Sequence, residues 1–295
     1  MTLGAFDTFV AVDWTGAVGR RHPGIAVALA EPGRAAPRLI WPDDGGAWSR
    51  AGVLAWLGEV AAGCRLLVGF DFSFSLPFVD LGAYAPGLDG VPVPSRARDL
   101  WAWLDALAAG TPGAEDLGPG TIASDGPLAA YFLTRKPAGR HFQRRFRLTE
   151  HLCREAGQGN AQCVFHLIGP NQVGKASLAG MRLLHRLDGV AVWPFDRVRA
   201  GASVAVEIYT GLCIRDAGLG QRKVADHAGL AEALSALASD AVAPDGGAAA
   251  LSDHGADALI GAAWLRARAG DAQLWRPRAL SAKVRRAEGW TFGVV

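Results

Sequence analysis

At 295 residues, 50% hydrophobic and 20% charged, the chain has material for a large core, which excludes wholesale disorder. A formal net charge of +2 is too small to argue for or against a polyanionic partner. No apolar run approaches the roughly 20 residues a membrane helix needs, which excludes a conventional spanning segment and leaves no membrane partner expected.

Taken in chain order, Thr8–Trp14 is a β-rich run, and Gly16, Gly19 and Pro23 after it signal a hairpin connection. Gly24–Leu29 and Pro37–Ile40 supply second and third strands. Trp48, Val53, Leu54, Trp56, Leu57 and Val60 recur at helical spacing and predict a helix over Ala47–Ala62. Arg65–Asp71 is almost wholly apolar, the pattern of a strand buried on both faces of a parallel sheet. Residues 72–200 are rich in proline and glycine and read as an insertion, with helices near Arg96–Ala109 and Leu178–Leu187. Ala202–Tyr209 resumes the strand pattern. Helices are expected over Val224–Ser239 and Ser252–Arg268, separated by the small residues Pro244–Ala250. The closing Glu288–Val295 is a final strand or a packed tail. The expected architecture is one α/β domain over 1–295 with 72–200 as an insertion subdomain.

Four acids interrupt the most apolar of these segments. Asp13 closes Phe9-Val10-Ala11-Val12, and Asp71 closes Leu66-Leu67-Val68-Gly69-Phe70. Glu207 lies in Val204–Tyr209, and Asp257 in Ala256–Trp264. A buried carboxylate costs several kcal/mol unless something compensates it. One such acid is explained by an ion pair; four in core-like elements point to a shared cation. If the three strands are parallel, Asp13, Asp71 and Glu207 share one sheet edge, where open α/β sheets place ligands. Asp253 and Asp257 are four residues apart and share a helix face.

These motifs, Val10-Ala11-Val12-Asp13-Trp14-Thr15-Gly16-Ala17, Gly69-Phe70-Asp71-Phe72-Ser73, Val206-Glu207-Ile208-Tyr209, Asp253-His254-Gly255-Ala256-Asp257 and Glu288-Gly289-Trp290-Thr291-Phe292-Gly293, resemble a domain-of-unknown-function family of predicted nucleases in the ribonuclease H-like superfamily. Gln172-Val173-Gly174-Lys175 and Trp193-Pro194-Phe195-Asp196 share the resemblance. It implies an RNase H-like mixed sheet in the order β-β-β-α-β-α-β-α, flanked by helices, with the insertion between the fourth and fifth strands. It also implies a nuclease that hydrolyses phosphodiester bonds of DNA or RNA with Mg2+ or Mn2+. Asp13, Asp71 and Asp257 would be catalytic, and Asp253 and Glu207 further metal ligands. An acid at the Glu207 position is not general in that superfamily. Two hard cations about 3.5–4 Å apart would be held by such carboxylates, water and substrate phosphate.

Each acid also has a structural reading. Asp13 could cap its hairpin, Asp71 could bond loop amides around Ser73, Asp253 could cap its helix, and Glu207 could pair with a core arginine such as Arg215. His254 is expected to face solvent. Gly169–Ser177 nearly matches a phosphate loop, but Ala176 stands where the motif needs a hydroxyl. Lys175 is therefore kept as a substrate contact only. His151, Cys153, Cys163 and His166 have zinc-like spacing without a tight cysteine pair. The stretch containing Arg135, Lys136, Arg140, Arg144, Arg145 and Arg147, with Phe142 and Phe146, suits phosphate contact and base stacking, or else a solvated helix face. Two other functions stay open. One is an ATP-binding sugar kinase or actin-like phosphotransferase, suggested by the turn after Asp13 and by Gly246-Gly247. The other is a nucleic-acid-binding protein of the same fold that does not cut. The four cysteines (Cys64, Cys153, Cys163, Cys213) form no disulfide framework and no secretory signal is visible, so a reduced, cytoplasmic protein is expected.

Overall fold

Along Phe9-Val10-Ala11-Val12 the side chains alternate between two faces, and all four are buried. The strand is therefore covered on both sides. The computed structural model describes residues 5–88, 90–134, 137–169, 172–220, 222–224, 226–243 and 251–295. Among the motifs above, Arg135-Lys136, Pro170-Asn171 and Gly246-Gly247 lie outside the described residues.

The six strands are β1 (Thr8–Asp13), β2 (Ala26–Ala30), β3 (Arg38–Ile40), β4 (Leu66–Phe70), β5 (Val190–Val192) and β6 (Ser203–Glu207). They form one mixed sheet in the order β3-β2-β1-β4-β6-β5. β1, β2 and β3 pair antiparallel, whereas β1–β4, β4–β6 and β6–β5 are parallel. The proline- and glycine-rich stretch expected as an insertion thus returns one short strand, β5, to the sheet edge. The closing residues form a packed tail, which meets the sheet through an isolated bridge between Thr291 and Glu207.

One layer of helices packs on Val10, Val12, Val68 and Phe70. It contains α1 (Arg50–Gly63), α2 (Ala97–Ala108) and α4 (Gly174–Arg186); α3 (Leu148–Glu155), between α2 and α4 in sequence, turns Leu148, Leu152 and Cys153 to the opposite core. The opposite layer packs on Phe9, Ala11, Leu67 and Val206. It contains α5 (Thr210–Ile214), α6 (His227–Ala236), α7 (Asp253–Arg268), α8 (Ala282–Ala287) and the tail residues Trp290, Phe292 and Val294. This is an α/β sandwich of three layers. No helix among the described residues is long and apolar enough to cross a membrane.

One contact decides where the acids fall. α7 lies close on the sheet because Gly261 faces Ala11: a β-carbon on Gly261 would stand 2.9 Å from that of Ala11. Asp257 is one turn earlier on α7, about 6 Å along its axis. Asp13 is two residues further along β1, about 7 Å in the same direction. Both carboxyl groups therefore reach the carboxyl edge of the sheet together.

Candidate functional site

The carboxyl ends of β1, β4 and β6 open into a cleft of about 240 Å³. Asp13 and Asp71 line it, with Trp14, Ser73, Gln162, Gln172 and Tyr209 on the walls. Asp71 is pushed up to about 7 by its burial, by the charge of Asp13 and, further down, by Asp257; the Thr210 hydroxyl, which donates to Oδ2 at 2.6 Å, only partly offsets this. Asp257 is likewise pushed up to about 7 by burial and by Asp13. Asp71 at the end of β4 and Asp257 on α7 thus both lie close enough to feel the charge of Asp13 at the end of β1.

His254, one turn before Ala258 on α7, answers part of that charge. Its Nδ1 lies 2.5 Å from Asp13 Oδ2, and this hydrogen bond raises the imidazole above its ordinary value. The side chain is half exposed. The sequence suggested only a solvent-facing histidine here; its helix spacing before Asp257 was the available signal. Thr210 was also missed, since a threonine after a strand carries no signature of its partner.

The turn after Asp13 is held from below. Arg50, fully buried at the start of α1, donates from Nη2 to the carbonyls of Thr15 at 2.9 Å and Ala17 at 2.7 Å. Its backbone N–H and that of Ala51 are taken by Asp116, a left-handed residue at φ 52°. Gly16 then touches the first turn of α4, where a β-carbon would collide with the Lys175–Ala176 peptide. Gly16→Ala is expected to destabilise the fold by about 1–3 kcal/mol by prising this turn from α4. A urea midpoint equal to that of the unmodified protein would show that α4 yields instead.

The remaining expected site residues are placed differently. Glu207 is not free to hold a metal. It is buried, Oε1 accepts from Arg147 Nη2 at 2.5 Å and Thr291 Oγ1 at 2.6 Å, and Oε2 accepts from Arg147 Nη1 and the Phe74 N–H, both at 2.7 Å. Its arginine partner is Arg147, not Arg215. Arg147 in turn is not a substrate contact: it is fully buried and also bonds Glu150 at 3.0 Å. Burial acts to lower its guanidinium, but Glu207 and Glu150 outweigh that and leave it raised. Arg145 is likewise withdrawn from substrate, tied to Asp80 and to the carbonyls of Pro77, Ala83 and Tyr84. Asp253 sits in the first turn of α7 behind the N-cap Ser252, half exposed, and pairs with Lys223 rather than entering the cleft.

Lys175 is exposed at the start of α4, and Arg144 is exposed over the Phe146 ring. Arg154 lies over the same ring and bonds the carbonyl of Ala161, a cleft residue. A neighbouring cavity of about 330 Å³ takes in Phe142, Arg144 and His166 and shares Gln162 with the acid cleft. Cys153 and Cys163 belong to opposite core layers, so they do not form one site with the histidines. Burial pushes the Cys153 thiol up to about 11, which leaves little thiolate near neutral pH.

Whether these acids suit a metal turns on their donors. Among the described residues, no three histidine, cysteine, aspartate or glutamate side chains stand close enough to grip one ion unaided. Mg2+ and Mn2+, however, take hard oxygen and are commonly bound through one or two carboxylates plus water and substrate phosphate. Asp13 and Asp71, sharing the cleft and repelling each other, fit that mode.

Fold and cleft together define an α/β protein with a carboxylate site at the carboxyl edge of its parallel strands. Compared with known protein families, with curated proteins and with solved structures, the chain matches none.

Proposed function

We propose that this protein is a metal-dependent nuclease of RNase H-like architecture that hydrolyses phosphodiester bonds in nucleic acid. The observation that carries the reading is the convergence of Asp13, Asp71 and Asp257 from β1, β4 and α7, two of them pushed up to about 7. Perturbed carboxyls gathered in a cleft are a recognised mark of function. The sheet, with three antiparallel strands followed by parallel ones in the order β3-β2-β1-β4-β6-β5, supports the RNase H-like comparison. Arg144, Phe146, Arg154 and Lys175 along the approach support a polyanionic, base-bearing substrate.

Asp13 and Asp71 would hold Mg2+ or Mn2+ together with water and substrate phosphate, and Asp257 would act on the ion through one of those waters. Such an ion, when bound, supplies an activated water and stabilises the departing oxygen of the phosphodiester. His254 orients Asp13 through its 2.5 Å contact. Thr210 orients Asp71, and the Arg50-anchored turn keeps Asp13 at the cleft mouth.

The test is cleavage of single-stranded, duplex, hybrid and branched DNA and RNA with Mn2+. Asp13→Asn is expected to lower the rate by more than about a hundredfold, beyond the loss typical of outer-sphere changes. Intact substrates throughout, with nucleic acid still bound, would leave a binding protein of the same fold. Thermal stabilisation by ATP but not by nucleic acid would favour the phosphotransferase reading.

A further inference from the structure

A cavity of about 590 Å³ lies well away from the acid cleft, which is about 240 Å³. It takes Phe6 and Phe9 from the start of β1 and Arg266 from the last turns of α7. The acid cleft instead opens at the other end of β1, at Asp13. Its volume falls in the range of small-molecule sites.

The floor is aromatic. Phe6 and Trp275 are stacked, with centroids 6.2 Å apart and planes 22° apart, and Trp193 meets Trp275 edge-on at 5.7 Å. The rim is cationic. Arg197 follows β5, Arg276 follows α7 and Arg285 is on α8; all three are exposed and line the opening. None of the three has an acidic or other side-chain partner among the described residues. Some exposed arginines elsewhere do have one (Arg21 with Asp44, Arg34 with Asp240, Arg222 with Glu232) while others, such as Arg20, Arg38 and Arg278, have none among the described residues; what sets this rim apart is that three such guanidinium groups surround one cavity. The one acid on the wall, Asp196, is already taken by Arg98 and by the Val192 N–H. On the same wall Arg266 gives Nη1 to the carbonyls of Glu31 and Ala35, while its buried Nη2 finds no acceptor among the described residues. An apolar floor under uncompensated guanidinium groups is complementary to a ligand that is flat at one end and anionic at the other.

We propose that this cavity binds a small aromatic anion, its ring system on Phe6, Trp193 and Trp275 and its acidic head on Arg197, Arg276 and Arg285. The proposal does not depend on the nuclease reading. The probes are 1-anilinonaphthalene-8-sulfonate and its uncharged counterpart N-phenyl-1-naphthylamine, followed by fluorescence. The sulfonate is expected to bind one site per chain. Arg276→Ala with Arg285→Ala should weaken it at least tenfold and leave the neutral probe unchanged. Val198→Trp, which fills the cavity, should remove both. Competition by 1-naphthoate against 1-naphthyl phosphate then tells a carboxylate head from a phosphate head. Sulfonate affinity unaltered by the arginine pair, or failure of both competitors to displace it, overturns the proposal. The two arginines are exposed, so their variants keep the test valid even if Val198→Trp fails to fold.

Discussion

Arg147→Met is expected to lower stability by about 3–5 kcal/mol, enough to leave much of the protein unfolded at 37 °C. The loss would not measure the strength of an ion pair. It would arise because two buried carboxyl groups, Glu207 and Glu150, would lose the one guanidinium that compensates them both. The arginine also donates to the carbonyl of Glu288, so one side chain joins α3, β6 and the carboxyl-terminal tail. Glu207→Gln alone should cost less, about 1–3 kcal/mol, because Arg147 keeps Glu150 and an amide can still accept from Thr291. Arg147→Met combined with Glu207→Gln should recover part of the larger loss, since one uncompensated carboxyl group is gone. Denaturant unfolding with far-UV circular dichroism reads all three variants. An Arg147→Met midpoint matching the unmodified protein would contradict the network as drawn. Glu207→Gln should also keep any stabilisation by Mn2+, which separates its structural role from that of a ligand.

Asp71→Asn is expected to stabilise the metal-free protein by about 1–3 kcal/mol at pH 8 and to change little at pH 4. The sign follows from linkage. Asp71 and Asp257 are pushed up to about 7 in the fold, far above an ordinary aspartate, so between about pH 4 and 7 the folded state binds more protons than the unfolded one. Stability therefore falls as pH rises through that window and stays low above it. His254 acts in the same direction: its raised value adds stability present below an ordinary histidine's range and lost as pH rises through the folded value. The three groups share the charge of Asp13 and titrate as a cluster, so one broad transition is expected. Mn2+ should reverse the trend at pH 8, by about 2.7 kcal/mol at a hundredfold excess over its dissociation constant, and Asp71→Asn should abolish most of that gain. Melting temperatures of the two proteins at pH 4 and 8, with and without Mn2+, decide the matter. A melting temperature insensitive to both pH and metal would remove the acid cluster from consideration as a cation site.

How far the sequence reached differs between elements. Strands β1, β4 and β6 were legible because a strand buried on both faces leaves an uninterrupted apolar run, and α7 because Ala256–Leu265 is apolar almost all round. β5 and α3 were not. Three residues are too few for a period, and much of the inward face of α3 is made of Arg147, Thr149 and Glu150, polar groups whose buried partners lie far along the chain.

The same division runs through the site. Acids at the ends of apolar strands are visible in the sequence because burial makes them costly, and so Asp13, Asp71 and Asp257 could be singled out from residue order alone. Nothing in residue order says which charge compensates which. Glu207 and Asp71 look alike as acids closing apolar strands, yet one meets a guanidinium 2.5 Å away and the other meets a threonine hydroxyl and two like charges. Arg144 and Arg145 are neighbours, but one is exposed and the other is locked onto Asp80. The sequence by itself determined the α/β class and the segments that bring carboxylates to one sheet edge, since hydrophobic periodicity is a local property. Only the tertiary structure decided which charges are neutralised and which remain uncompensated, because partners such as Arg147 and Glu207 meet across 60 residues of chain, through contacts that no local pattern encodes.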